Sequence, residues 1–260
     1  MNTSTKIGFI GTGNMARAIL EGLVSSGYPA NDIYATRRNV SLLSDLAERG
    51  IKTGSDNSAA VLASDVVVLS VKPQMMRETL NLLKTELQQK KPLIISVAAG
   101  ISIEALDRWS GGDLPIVRAM PNTPSLLGKG ACGLYGNSKV SQEQRSFTSR
   151  LFDSLGLSLW VNEETDMDRV IAISGSGPAY YFLFMEKMIE AGVALGLDRE
   201  SAIKLTLQTA AGAAAMATET HLSPAELRKA VTSPGGTTEQ AILSFEANQL
   251  GKIVETAMQA

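Results

Sequence analysis

The amino-acid sequence predicts an α/β domain built on a mostly parallel sheet, followed by an all-helical domain. Three observations carry this. Short β-branched or apolar runs alternate with amphipathic helical stretches over residues 1–164. Over residues 165–260 no strand-like run recurs and helical patterning dominates. The first apolar run ends in a glycine-rich turn that opens directly into a helical stretch, the usual start of a β-α-β unit. The composition agrees with a folded chain of one large or two ordinary domains. It has 260 residues, 44% of them hydrophobic and 19% charged. Lys+Arg total 24 against 26 Asp+Glu, a formal net charge of −2, which argues against a nucleic-acid binder. A single Cys (Cys132) and a single His (His221) cannot build a Cys/His metal site, so no metal is expected. The lone Cys also excludes an internal disulfide and fits a reducing compartment. Met1–Lys6 is polar and too short for a signal peptide, and the best apolar run, Pro178–Leu195, is broken by Glu186, Lys187 and Glu190. A cytoplasmic protein with no membrane partner is expected.

Each element can be justified in turn. Strands are expected at Lys6–Ile10, Ile33–Ala35, Asp65–Ser70, Leu93–Val97, Pro115–Ala119, Cys132–Tyr135 and Ser158–Val161. Helical stretches sit between most of them, at Asn14–Ser26, Ser41–Glu48, Gln74–Leu87, Ile103–Trp109 and Gln142–Leu155. Continuous apolar strands with helical crossovers imply a parallel sheet covered on both faces. The second half reads as helices at Ala179–Leu195, Arg199–Thr220, Pro224–Val231, Thr238–Asn248 and Leu250–Ala260. Gly196 ends one helix and Asp198 caps the next. Ser223-Pro224-Ala225-Glu226 is a capping box with Pro at the first helical position. The small-residue stretch Ala210–Ala217 suits either a tightly packed internal helix or a dimer interface. The apolar character of so short a helical half favours the dimer.

The glycine turn reads Ile10-Gly11-Thr12-Gly13-Asn14-Met15-Ala16. Gly11 permits the tight turn, Gly13 lets backbone approach a pyrophosphate, and Ala16 stands in for the third glycine. This is the dinucleotide fingerprint of a Rossmann domain, with the helix N-terminus facing the anion. An NAD site usually places an acid at the end of the second strand. Here the strand runs out as Ala35-Thr36-Arg37-Arg38-Asn39, with no acid. Thr36, Arg37 and Arg38 suit a 2′-phosphate, so NADPH is the expected cofactor and NADH the less preferred one. The sequence does not say which arginine touches the phosphate. Leu69-Ser70-Val71-Lys72 and Val97-Ala98-Ala99 end later strands, at the carboxyl edge where ligands of open sheets bind. Small residues there leave room for a nicotinamide, although simple packing explains Ala98 and Ala99 equally well.

Three further segments are specific in order: Arg118-Ala119-Met120-Pro121-Asn122-Thr123-Pro124, Ser174-Gly175-Ser176-Gly177-Pro178-Ala179-Tyr180, and Thr232-Ser233-Pro234-Gly235-Gly236-Thr237-Thr238. Together with the opening GFIGTGNMA and the Val71-Lys72-Pro73-Gln74 stretch, the set resembles pyrroline-5-carboxylate reductase from residue 6 to about 245. The resemblance implies an N-terminal Rossmann domain (1–164) and an all-helical dimerisation and substrate-binding domain (165–260). It implies NAD(P)H-dependent reduction of the imino acid 1-pyrroline-5-carboxylate to L-proline, by dimers that commonly assemble into decamers, a pentamer of dimers. Carried over by motif, Ile10–Met15 would hold the pyrophosphate, and Asn57 would lie near the adenosine. Leu69–Lys72 and Val97–Ala99 would line the nicotinamide side. Ser233, Gly235, Gly236, Thr237 and Thr238 would take the substrate. Ser233 and Thr238 are the catalytic candidates, with Thr238 nearest the ring nitrogen.

The chemistry of these residues suits that role. A substrate carboxylate wants N–H donors, and the SPGGTT loop precedes a predicted helix. Gly235 and Gly236 allow backbone approach, and the Ser233 and Thr238 hydroxyls can donate. From the residues alone an ordinary turn with a helix cap is as good a reading; the resemblance tips it. A protonated imine already accepts hydride well, so the site needs orientation more than a strong acid. His221 therefore reads as a surface residue. Cys132 reads as a small buried hydrophobe, Lys72 as a strand-end residue near the cofactor, and Asp166 and Asp168 as helix caps. A 3-hydroxyacid dehydrogenase, the main rival, would need an acid/base lysine, for which Lys187 is the candidate. A dinucleotide sensor without turnover would have no use for the SPGGTT loop.

Overall fold

The computed structural model describes residues 5–260. The chain divides into two compact units, the first ending at Ser176 and the second beginning at Gly177. The first holds one eight-stranded sheet in the order β3-β2-β1-β4-β5-β6-β7-β8. Its strands are β1 (Ile7–Ile10), β2 (Ile33–Thr36), β3 (Lys52–Gly54), β4 (Val66–Leu69), β5 (Leu93–Ser96), β6 (Ile116–Met120), β7 (Gly130–Gly136) and β8 (Gly156–Trp160). The β3-β2-β1-β4-β5-β6 part is the doubly wound Rossmann order, with its switch point between β1 and β4. The helices of this unit are α1 (Asn14–Ser25), α2 (Ser44–Glu48), α3 (Asn57–Leu62), α4 (Pro73–Leu82), α5 (Lys84–Lys90), α6 (Ile103–Ser110), α7 (Gln142–Asp153) and α8 (Asp166–Val170).

Strands β1, β2, β4 and β5 are buried along their whole length, because helices cover both sheet faces. Alternate residues serve opposite cores. Phe9, Val68 and Ile95 pack with Ile19, Leu20 and Leu23 of α1 and with Leu151 and Phe152 of α7. Val67, Leu69 and Ile94 pack with Val61 of α3, Met76 and Leu80 of α4, and Leu106 of α6. Full burial of each such side chain contributes about 1.5–3 kcal/mol.

Four details differ from the sequence reading. Strand β3 was not expected; it is a three-residue edge strand without an apolar run, held by pairing to β2. Strand β7 runs antiparallel to β6, because a short link with a 3₁₀ turn at Thr123–Leu127 replaces a helical crossover. The stretch read as one helix from Gln74 is two, α4 and α5, broken at Leu83. Helix α3 was not read as a helix; Asp56 caps it by accepting from the Ala59 amide at 3.0 Å. Helix α8 belongs to the first compact unit. Met167 of α8 is buried, and Val170 packs over Gly133 of β7, so a π-helical turn at Ile171–Gly175 closes this unit.

The second unit is α9 (Gly177–Ala194), α10 (Arg199–Glu219), α11 (Pro224–Ala230), α12 (Thr237–Ala247) and α13 (Leu250–Gln259). Asp198 caps α10 by accepting from the Ser201 amide, and Ser223 and Glu226 form the reciprocal capping box of α11. Asp166 and Asp168 are not caps: the N-cap of α8 is Thr165, both acids lie in the first turn, and Asp166 pairs with Arg169.

Candidate active site

The two glycines of the first turn serve different masters. Gly11 has φ +87°, and a Cβ there would meet Val71 Cγ1 at 2.7 Å. The fold itself demands that glycine. Gly13 is extended and N-caps α1 without any side-chain cap. A Cβ at Gly13 would meet no protein atom within 4 Å. Nothing in the fold requires a glycine there, whereas a ligand over the free amides of the first α1 turn would.

The end of β2 is bolted to this turn. Thr12 sends both its N–H (2.8 Å) and its hydroxyl (3.0 Å) to the Thr36 carbonyl. Thr36 is itself fully buried, with its hydroxyl 3.0 Å from the Phe9 carbonyl and 2.6 Å from Asn57 Oδ1. Its side chain is thus spent on the scaffold. Arg37 donates from Nη1 to the Thr12 carbonyl at 3.2 Å, and Arg38 is exposed. Neither arginine makes an ion pair among the described residues.

These residues wall a cavity of about 660 Å³ at the carboxyl edge of the sheet. Of the expected cofactor residues, Gly11, Thr12, Gly13, Thr36, Arg37, Arg38, Asn57, Ser70 and Val71 line it. Ile10 and Leu69 do not; they are buried core residues. Asn14, Met15, Lys72, Val97, Ala98 and Ala99 also lie outside this lining. Met15, Val97 and Ala98 pack against the two cores. Asn39, Leu42, Ser55, Ser58, Met75 and Glu78 line the cavity without having been picked out in the sequence. Recognising α3 as a helix start would have pointed to Ser55 and Ser58. The Ser70 hydroxyl is buried here with no hydrogen-bond partner. Acids do line the cavity, Asp56 and Glu78, but neither pairs with Arg37 or Arg38; an orphaned hydroxyl, an open Gly13, a helix N-terminus and two unpaired arginines together fit a phosphorylated dinucleotide.

The expected substrate residues lie in the second unit. Gly235 has φ +72° and gives its N–H to Glu239 Oε2 at 2.8 Å, while Gly236 gives its N–H to the Ser233 carbonyl at 3.0 Å. Both glycine amides are thus engaged within the chain. The glutamate of the first α12 turn reaches back and occupies one, and the turn itself takes the other. Helix α12 begins at Thr237, with Gly236 as an N-cap that offers no side chain. Thr237 and Thr238 thus present both amide and hydroxyl on its first turn, and Ser233, Thr237 and Thr238 are exposed.

The remaining candidates behave as inert groups. Burial pushes the Cys132 thiol far above its ordinary value. Lys187 pairs with Glu186 and Glu190, the latter at 2.9 Å, and the hydrogen bond to Glu190 holds its ammonium charged. His221 is exposed in the bend after α10.

Comparison with known proteins agrees with this geometry. A family model described as pyrroline-5-carboxylate reductase dimerisation matches residues 164–260. A second, described as NADP oxidoreductase, coenzyme F420-dependent, matches residues 6–100. The pyrroline-5-carboxylate reductase of Pseudomonas aeruginosa is 48% identical over 259 residues, covering 99% of this chain and 94% of that one. That of Arabidopsis thaliana is 40% identical over 98% of this chain and 94% of its own. A solved pyrroline-5-carboxylate reductase from Coxiella burnetii superposes with a TM-score of 0.95 at 44% identity, covering 98% of this chain and 95% of the other. One from Plasmodium falciparum with NADP bound gives 0.85 at 31% identity, covering 99% and 95%. Matched over nearly its whole length at such identity, the chain belongs to the pyrroline-5-carboxylate reductase family.

Proposed function

We propose that this member of the family reduces 1-pyrroline-5-carboxylate at its C=N bond to L-proline, with NADPH preferred over NADH. The observation that carries the cofactor preference is the end of β2, where Arg37 and Arg38 line the cavity and no acid stands. A carboxylate there would repel a 2′-phosphate, and two guanidinium groups bind it with charge-assisted hydrogen bonds. The first turn of α1, with Gly13 open above it, holds the pyrophosphate. Asn57 faces the adenosine side. Ser70, Val71 and Lys72 with Val97, Ala98 and Ala99 line the nicotinamide side. The bound nicotinamide supplies the hydride.

The chain's own task is orientation. The amides of Thr237 and Thr238, with the Ser233 hydroxyl, hold the substrate carboxylate on the N-terminus of α12. Thr238 orients the ring nitrogen, which is protonated by the time the carbon is attacked, so that hydride addition to the iminium gives a neutral amine rather than a nitrogen anion. The functional division between cofactor and substrate domains lies at 164/165. The working assembly is a homodimer at least, built up to a pentamer of dimers in the cytoplasm.

The assay is loss of NADPH absorbance with 1-pyrroline-5-carboxylate, run beside NADH. Rapid oxidation with proline as product is expected, faster with NADPH. No oxidation by a protein that still binds NADPH overturns the reading. Thr238→Ala should lower kcat by about ten-fold or more with NADPH affinity unchanged. Kinetics like those of the parent chain would remove Thr238 from the reaction.

A further inference from the structure

Helices α1 and α2 are cross-linked by a ladder of four charges. Arg17 and Glu21 stand one turn apart on α1, and Asp45 and Arg49 one turn apart at α2. Arg17 grips Asp45 with both ends of its fork, Nη1 to Oδ2 at 2.6 Å and Nη2 to Oδ1 at 3.0 Å. Arg49 Nη1 lies 2.6 Å from each carboxylate oxygen of Glu21. The two rungs differ in one respect. Arg17 Nη2 also donates to the carbonyl of Leu42, a wall of the nucleotide cavity.

That carbonyl belongs to a compact turn. Asn39 Oδ1 accepts from the Ser41 amide at 3.2 Å and from its hydroxyl at 2.7 Å, and the Leu42 amide donates to the Asn39 carbonyl at 3.3 Å. Arg38 directly precedes this turn and shows no ion pair of its own among the described residues. Its place at the cavity is therefore set by the backbone that follows it. We infer that Arg17, through Asp45 and the Leu42 carbonyl, is a positioning residue that fixes the 39–42 turn, aims Arg38 at the 2′-phosphate, and so sets the preference for NADPH over NADH. This rests on the assignment of Arg37 and Arg38 to that phosphate. The planar fork reaches both Asp45 oxygens and the Leu42 carbonyl in one fixed geometry, which the rotating ammonium of a lysine does not hold.

Side-chain exposures of 26% for Arg17 and 57% for Asp45 mean that the pair adds little to global stability, so its variants fold. The test is the dissociation constants of NADPH and NADH for the full chain, without substrate. R17Q should raise the NADPH constant about five-fold or more and leave the NADH constant within about two-fold. D45N should act in the same direction, and the R17Q/D45N double variant should be no worse than R17Q, since both remove one interaction. R17K should restore only part of the preference. E21Q removes the other rung and should keep the NADPH:NADH ratio. An unchanged ratio in R17Q, equal weakening of both cofactors, or an E21Q effect as large as that of R17Q overturns the proposal. An R37A/R38A double variant that keeps the ratio overturns the phosphate assignment itself. One that collapses the ratio while R17Q does not overturns the Arg17 role alone.

Discussion

Single residues in the nucleotide turn separate the demands of the fold from those of the ligand. Gly11 is held by its φ of +87° and by Val71, so Gly11→Ala should cost about 1–3 kcal/mol of stability, read as a lowered Tm. Gly13 has neither constraint, so Gly13→Ala should melt like the parent chain yet bind NADPH about ten-fold or more weakly. A stable Gly13→Ala that binds NADPH normally would remove the pyrophosphate from that turn. Thr36 illustrates the opposite case. The sequence offers it as a phosphate contact, but the structure buries it against Phe9 and Asn57. Its identity is explained by the bonds it makes to β1 and α3.

At the scale of elements, the joints matter more than the elements themselves. Gly156 starts β8 at φ +141°, and a Cβ there would drive into the Gly130 backbone of β7. The parallel β7–β8 pair therefore depends on that glycine. The α1–α2 joint depends on charge and so on pH. The hydrogen bond from Arg17 holds the Asp45 carboxyl below its ordinary value, and Asp45 in turn raises Arg17. A carboxyl lowered in the folded state contributes stability above its unfolded value and loses it as pH falls through the folded one. Any Tm difference between the parent chain and D45N should therefore be small, as for so exposed a pair, largest at neutral pH, and should shrink to nothing once the carboxylate is protonated. A difference that persists in acid would show that Asp45 acts through packing.

The whole molecule is shaped by what its second unit lacks. Helices α9 to α13 bury no large apolar side chain among the described residues; Gly177, Ala202 and Thr206 are the buried ones. Tyr181 is 70% exposed, Phe182 62% and Ile253 57%. Helices without a core of their own need another surface to cover them. The match of residues 164–260 to a dimerisation family accords with that need. Light scattering at micromolar concentration should give a mass of at least twice 27.6 kDa, with no folded monomer on dilution. A stable monomer would overturn the obligate dimer.

What the sequence by itself determined was local: strands β1, β2, β4, β5 and β6, the glycine turn, the Ser223 capping box, the Asp198 cap and the acid-free end of β2. Each of these is set by neighbours within a few residues, through periodicity, capping or backbone freedom. The substrate loop was legible only because its order of residues resembles a family. What the tertiary structure alone decided depends on partners far away along the chain. The direction of β7 follows from its pairing with β6. Strand β3 has no apolar run and exists through its bonds to β2. The Gly235 amide is claimed by a helical glutamate. The grip of Arg17 on Leu42 spans elements that no sequence window contains. Local rules choose the elements, but only folding brings together the charges and hydrogen-bond partners that decide which side chains remain free for a ligand.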